Sequence, residues 1–283
     1  IAAMAGVLFT ACENGDRDFP DFKYSAVYFA YQSPIRTITL GEDPSVDNSL
    51  DNEHKCQIMA TIAGVYENKK NVEIGIRVDN SLCDGYTFES TKGDIMPLPT
   101  SHYTLSDDKI VIKKGQVLGG VTVNLTDAFF NDPKATELNY VIPVVMTGVQ
   151  NADSILEGKP SVDTPDRVNK EDWEVQSKDY ILYAVKYISK YDSHYLRRGV
   201  DTYTGNKTGT EVRHAANVEK DETIGGFSTL GLNKVQWERP TKDAAGKNVE
   251  ANLILTFDES GNCVITSNTE GVEANGSGKF VAK

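Results

Sequence analysis

The chain has 283 residues, with 41 Asp and Glu against 29 Lys and Arg, and a formal net charge of −12. That balance argues against a surface built for nucleic acid, whose phosphates need clustered basic side chains, and against docking on an anionic membrane surface. With 39% hydrophobic and 25% charged residues, the composition is that of a folded globular chain, long enough for two domains of ordinary size.

Residues 1–11 are uncharged and almost wholly apolar, and they end in Leu8-Phe9-Thr10-Ala11, directly before Cys12. The run is roughly half of what a membrane-spanning helix needs. A small residue followed by cysteine is the order that signal cleavage and lipidation require. Residues 1–11 are therefore expected to be part of a lipoprotein signal whose basic start precedes them, with Cys12 as the lipid attachment site. An ordinary cleaved signal with an incidental cysteine is the alternative. Acyl chains contribute roughly 0.8 kcal/mol per buried CH₂, so a multiply acylated Cys12 would hold the chain to a membrane without a spanning helix. Residues 12–23 carry Glu13, Asp16, Asp18 and Asp21 around Pro20, the composition of a solvated acidic tether.

Residues 24–150 read as an all-β domain. Segments rich in β-branched and aromatic residues recur at 26–31, 35–40, 56–65, 72–78, 109–112, 121–125 and 140–147, separated by turn-forming clusters. Val72-Glu73-Ile74-Gly75-Ile76-Arg77-Val78 alternates strictly, which predicts one buried and one wet face. The spacing suits an immunoglobulin-like sandwich without the Cys–Trp–Cys pattern of antibody domains. Residues 151–178 break the rhythm with Gly158, Pro160, Pro165 and many charges. They are expected to form a connector that partly packs on the domains, with Trp173 as an anchor.

A second β-rich domain is expected over residues 179–283. Tyr180, Tyr183, Tyr187, Tyr191 and Tyr195 stand three and four apart, as on one helix face, yet Ile181, Tyr183, Val185 and Tyr187 also alternate. The aromatic and β-branched content favours a strand. Segments 223–238, 249–258 and 262–267 predict an antiparallel meander, with Asp258-Glu259-Ser260-Gly261-Asn262 as a hairpin turn. One more strand opens at Gly276-Ser277-Gly278-Lys279-Phe280-Val281. The expected fold is thus all-β, an immunoglobulin-like sandwich followed by an antiparallel sandwich or barrel-like domain that continues past residue 283.

Ile142-Pro143-Val144, the connector Ala152-Asp153-Ser154-Ile155-Leu156-Glu157-Gly158 and the block Tyr183-Ala184-Val185-Lys186-Tyr187 with Tyr195-Leu196-Arg197-Arg198-Gly199 resemble a family of Bacteroidetes surface lipoproteins of unknown function. Its members join an N-terminal immunoglobulin-like domain, of a kind also found ahead of family-18 glycoside hydrolases, to an uncharacterised β-rich domain. The acidic stretch after Cys12 is similar to the signal that exports such lipoproteins to the outer cell surface. The resemblance implies glycan capture or adhesion and transfers no binding residue.

The chemistry-bearing residues form no catalytic constellation in sequence. G-x-S-x-G and H-E-x-x-H are absent, as is the acidic motif of family-18 hydrolases. His54, His102, His194 and His214 are far apart and read as surface histidines. Asp43, Asp47, Asp51 and Glu53 read as a solvated loop without EF-hand spacing. Gly276-Ser277-Gly278 reads as a strand kink. Cys56, Cys83 and Cys263 have no metal-ligand spacing. They are expected to be small buried hydrophobes, a Cys56–Cys83 disulfide being the alternative. No catalytic residue, metal or cofactor is expected.

The strongest candidate surface is aromatic and basic: Tyr191, His194, Tyr195, Arg197 and Arg198. Sugars present C–H faces to aromatic rings and hydroxyls to planar polar groups. The competing reading packs the tyrosines between strands, pairs the arginines with carboxylates and places Trp237 in a core. The expected function is non-catalytic: an outer-membrane, cell-surface lipoprotein that binds glycan during polysaccharide capture. A structural or adhesive subunit contacting outer-membrane proteins is the alternative.

Overall fold

The computed structural model describes residues 23–205, 207–214, 216–217, 225–242 and 245–282. The expected signal, Cys12 and all of the tether except Lys23 lie outside the described residues. The architecture is all-β in two curled-sheet domains.

The first sheet is built from β1 (Ala26–Tyr28), β2 (Ile35–Thr39), β3 (Lys55–Ala63), β4 (Val72–Val78), β5 (Met96–Pro97), β6 (Tyr103–Leu105), β7 (Lys109–Ile112), β8 (Leu118–Leu125) and β9 (Tyr140–Gln150). The connector and the expected second domain contribute β10 (Ser154–Ile155), β11 (Lys159–Pro160), β12 (Trp173–Val175) and β13 (Tyr180–Ile188). The order across the sheet is β10-β1-β3-β8-β7-β4-β9-β13-β2, with β5 on β9 and β6 on β8, while β11 and β12 pair separately. Alternation sets the inner face: Cys56, Ile58, Ala60 and Ile62 of β3, Val72, Ile74 and Ile76 of β4, and Val121, Val123 and Leu125 of β8 are buried in one core.

Strands β9 and β13, each paired on both sides, instead bury both faces, which is why residues 180–188 are a near-continuous apolar run. Ile142, Val144, Met146, Ile181, Tyr183 and Val185 face the main core. Val141, Val145, Tyr180, Leu182 and Ala184 face a second cluster with Leu82, Cys83 and Phe88. β13 runs antiparallel to β9, with Tyr183 opposite Ile142, and parallel to β2, with Tyr187 opposite Ile38. The expected domain boundary at 179 is therefore corrected. β13 completes the first sheet, because the main core covers one of its apolar faces and the Leu82–Phe88 segment covers the other, and the second domain starts after Ile188.

The structure bears on three further expectations. The connector is largely structured: β10 lies parallel to β1, and the Trp173 indole N–H donates to the Asp166 carbonyl at 2.7 Å. Gly158 is required there, since its φ is +78° and a Cβ would come 2.4 Å from the Val175 carbonyl. Asp51 is no solvated loop residue. It is buried, pairs with the Arg36 guanidinium and accepts the Thr39 N–H at 2.8 Å. Cys56, Cys83 and Cys263 are free and buried, and burial pushes the Cys56 thiol up to about 11, so the disulfide alternative falls.

The second domain contains β14 (His194–Tyr195), β15 (Arg198–Tyr203), β16 (Gly209–His214), β17 (Gly225–Gly231), β18 (Lys234–Lys242), β19 (Asn248–Phe257), β20 (Asn262–Ser267) and β21 (Gly276–Lys279). Six of these form a meander in the order β14-β17-β18-β19-β20-β21, while β15 and β16 make a separate hairpin. The expected meander segment at 223–238, whose residues 223–224 lie outside the described residues, is two strands with a turn at Leu232 and Asn233. That turn was masked by an apolar residue: Leu232 is apolar because it tucks against the core of the first domain. The junction is pinned beside it, where the Ser189 hydroxyl donates to the Leu232 carbonyl at 3.0 Å and Asp192 accepts the Thr229 N–H at 2.8 Å. The 258–262 turn forms as expected, with Asp258 accepting the N–H groups of Ser260 and Asn262 at 2.9 and 2.8 Å. One face of the meander buries Val235, Leu255, Phe257 and Cys263 beneath Tyr191.

Candidate ligand-binding site

The β15–β16 register places Asp201 opposite Glu211 and Gly199 opposite Arg213. Residues two apart share a face of a strand, so Asp201, Tyr203, Glu211 and Arg213 lie on one face of this hairpin. On β18 the same period puts Val235, Trp237 and Arg239 on one face, with Trp237 opposite Phe227 on β17 and Leu253 on β19. Arg197, just before β15, completes the group.

Three guanidiniums converge on Asp201. Arg197 Nη2 donates to Oδ1 and Oδ2 at 2.7 and 2.9 Å, Arg213 Nε to Oδ2 at 2.5 Å, and Arg239 Nη2 to Oδ2 at 3.1 Å. The Tyr203 hydroxyl lies 3.3 Å from the same oxygen and 3.0 Å from Glu211 Oε2. The Arg213 hydrogen bond is the largest influence on Asp201. Arg197 and Arg239 add to it and hold the carboxyl at about 2, against the opposing effect of burial. Burial first, and the adjacent Arg239 next, pull Arg197 below the usual guanidinium range.

The same arginines lie over an aromatic ring. Arg197 and Arg239 are 5.4 and 5.6 Å from the Trp237 ring centroid. Phe227 sits 5.7 Å from Trp237, and Tyr195 sits 4.8 Å from Phe227. The result is a half-exposed aromatic row flanked by planar cationic groups.

The five residues singled out by sequence divide. Arg197 is central to this group, and Tyr195 is joined to it through Phe227. The Tyr195 hydroxyl is spent on the Tyr191 carbonyl at 3.0 Å. His194 is exposed on β14 opposite Gly226, and Arg198 is exposed at the start of β15. Tyr191 is corrected from ligand residue to core residue. It is 1% exposed, stacks on Phe257 at 3.8 Å and meets the edge of Phe280 at 5.0 Å. Sequence reasoning missed Asp201, Tyr203, Arg213 and Arg239; its core reading of Trp237 holds in part, since the half-buried ring packs against the core of Val235, Leu255 and Phe257. The signal that could have found them is the alternation 201, 203 and 211, 213 on two short strands, beside 237, 239 on a third.

A second polar cluster stands on the first domain. Ser101 Oγ is 3.0 Å from His102 Nδ1, and His102 Nε2 is 3.1 Å from Asp132 Oδ2, which also accepts the Tyr140 hydroxyl at 2.6 Å. His102 is thus half-buried and partnered, not the surface histidine expected. The other Asp132 oxygen accepts the Lys134 N–H at 2.9 Å. With both carboxylate oxygens engaged, this cluster ties the turn at 101–102 to the turn at 132–136. Among the described residues no His, Cys, Asp or Glu side chains gather in threes as a metal-binding set, and no helix is long and apolar enough to cross a membrane.

Fold and site together define a two-domain, all-β protein with an aromatic and arginine-rich patch on its second domain. The comparisons with known proteins agree with that division. Residues 190–283 match the domain of unknown function DUF5627, and residues 22–153 match a model described as an N-terminal domain. A solved Bacteroides ovatus structure of unknown function is 46% identical, with a TM-score of 0.87 over 93% of this chain and 83% of that one. The chain belongs to the family of that protein. More distant are a multidomain B. ovatus protein that includes DUF1735, at 11% identity and a TM-score of 0.42 over 88% and 72% of the two chains, and an auxiliary nutrient binding protein from Bacteroides thetaiotaomicron, at 11% identity and 0.41 over 84% and 70%. Among curated proteins no match is found.

Proposed function

We propose that this protein is a non-catalytic surface lipoprotein that binds glycan through its second domain, anchored to the outer membrane by lipid on Cys12. The observation that carries the binding reading is the half-exposed Trp237 lying under Arg197 and Arg239 beside Phe227 and Tyr195. An aromatic ring supplies the stacking face for a sugar, and a guanidinium supplies a planar fork of donors for its hydroxyls. The anchoring reading rests on the Leu8-Phe9-Thr10-Ala11-Cys12 order.

The same geometry favours binding over hydrolysis. Asp201 and Glu211 meet at the Tyr203 hydroxyl as a pair of carboxylates, the residue types that glycosidases use. A glycosidase general acid, however, needs its carboxyl held protonated near neutral pH. The arginines do the reverse to Asp201. Affinity electrophoresis of the full chain carrying Cys12→Ala, in gels cast with individual polysaccharides, tests the proposal. Retardation by at least one glycan, abolished by Trp237→Ala, is expected. Equal retardation of both proteins would remove Trp237 from the site.

A further inference from the structure

The charge at the site is out of keeping with the rest of the chain. The overall balance is −12, yet Arg197, Arg213 and Arg239 gather around one carboxylate, with Glu211 bonded to Arg213 alone of the three at 3.0 Å. Lys207 adds a fourth cation, its ammonium 3.7 Å from the Tyr203 ring centroid. Within this set four cations face two carboxylates. The side chains of Arg197, Arg213 and Arg239 are 20%, 17% and 30% exposed, so solvent screens their mutual repulsion only partly.

A hairpin fastened to a sheet needs one arginine on Asp201, not three. Asp201 engages only Nη2 of Arg197 and Nη2 of Arg239, which leaves Nε and Nη1 of each guanidinium outside this pairing. Both guanidinium carbons lie within 5.6 Å of the Trp237 ring centroid. Asp201 itself records what such a group selects: a planar carboxylate, held in the fork geometry that guanidinium and carboxylate share. A second carboxylate carried on a sugar ring would meet the remaining donors while the ring lies against the indole.

We infer that the site takes an acidic glycan, one whose sugar units carry a carboxylate, and that Arg197 and Arg239 select for that group. The inference rests on the reading of Trp237 as a glycan platform and deepens it. Selection follows because the acidic sugar relieves the excess positive charge, whereas a neutral ester of the same sugar leaves it in place.

The test is titration calorimetry of the full chain carrying Cys12→Ala with oligogalacturonate and with its fully methyl-esterified form. The acid form is expected to bind at least ten times more tightly than the ester at low salt. The preference should shrink towards unity at about 1 M salt, where the screening length falls to roughly 3 Å. Arg197→Gln with Arg239→Gln should abolish the preference and keep the weaker binding of the ester, and a thermal melt would confirm that this variant is folded. A sulfated glycan serves as the second arm, and binding of sulfate esters ahead of uronates would overturn the carboxylate assignment. Equal affinity for acid and ester would overturn the inference and leave the glycan platform standing. No binding by either form, with binding of some neutral polysaccharide in the gel assay, would likewise overturn the inference alone. Failure of every glycan would sink the platform and the inference together.

Discussion

Tyr191 separates the two readings of the aromatic stretch most sharply. Its ring is enclosed between Phe257, stacked at 3.8 Å with an interplanar angle of 7°, and the edge of Phe280. Truncating a buried aromatic ring to a methyl group costs about 3–5 kcal/mol. A domain the size of the second one loses roughly 4–8 °C of melting temperature per kcal/mol. Tyr191→Ala is therefore expected to lower the transition of the second domain by more than about 12 °C, read by scanning calorimetry. Tyr191→Phe keeps the ring, and its melting temperature should shift by no more than a few degrees. Glycan affinity of Tyr191→Phe should match the unsubstituted chain. If Tyr191→Ala melts normally, or if Tyr191→Phe loses glycan binding at an unchanged melting temperature, the ring belongs to a site and the packing argument is wrong.

Other outcomes follow from the same structure. Asp201 has a folded-state pKa of about 2, below the roughly 3.9 of an unfolded aspartate. Its pairing therefore stabilises the fold fully above about pH 4 and is lost as pH falls towards 2. After allowance for solvent screening the contribution is about 1–2 kcal/mol. Asp201→Asn should flatten the pH dependence of urea unfolding in that window, and an unchanged slope would contradict the three-arginine arrangement. In a chain starting at residue 23, the three buried thiols should resist Ellman's reagent in the native state and all react in denaturant. Fewer than three in denaturant would reveal a disulfide. Gly158→Ala should destabilise the chain by more than about 1 kcal/mol, because alanine at positive φ is strained and its Cβ would meet the Val175 carbonyl. An unchanged unfolding midpoint would show that the connector does not hold that backbone.

The sequence made the strands legible wherever one face is wet. β3, β4 and β8 alternate because the first core takes every second side chain. The double burial of β13 blurred its period and moved the domain boundary, since an apolar run does not say which sheet will cover it. The turn at Leu232 was hidden for a related reason: an apolar side chain held in a tertiary contact imitates a strand. At the site, Arg197 and Tyr195 stood out because the aromatic and basic residues cluster in sequence. Asp201, Arg213 and Arg239 did not stand out because three strands bring them together beside Trp237, and their register is fixed by pairing across the hairpin and the meander. Tyr191 and Tyr195 look alike in sequence, and only packing assigns one to the core and the other to the edge of the aromatic row.

The measurement that bears most directly on the proposed function is glycan binding by the full chain carrying Cys12→Ala, compared with the same chain carrying Trp237→Ala, across a panel of neutral and acidic polysaccharides. Binding to at least one polysaccharide is expected, with a loss of more than tenfold in affinity on removing the indole and Trp237→Ala still folded by circular dichroism. Absence of binding across the whole panel, or binding indifferent to Trp237, would contradict the proposed function.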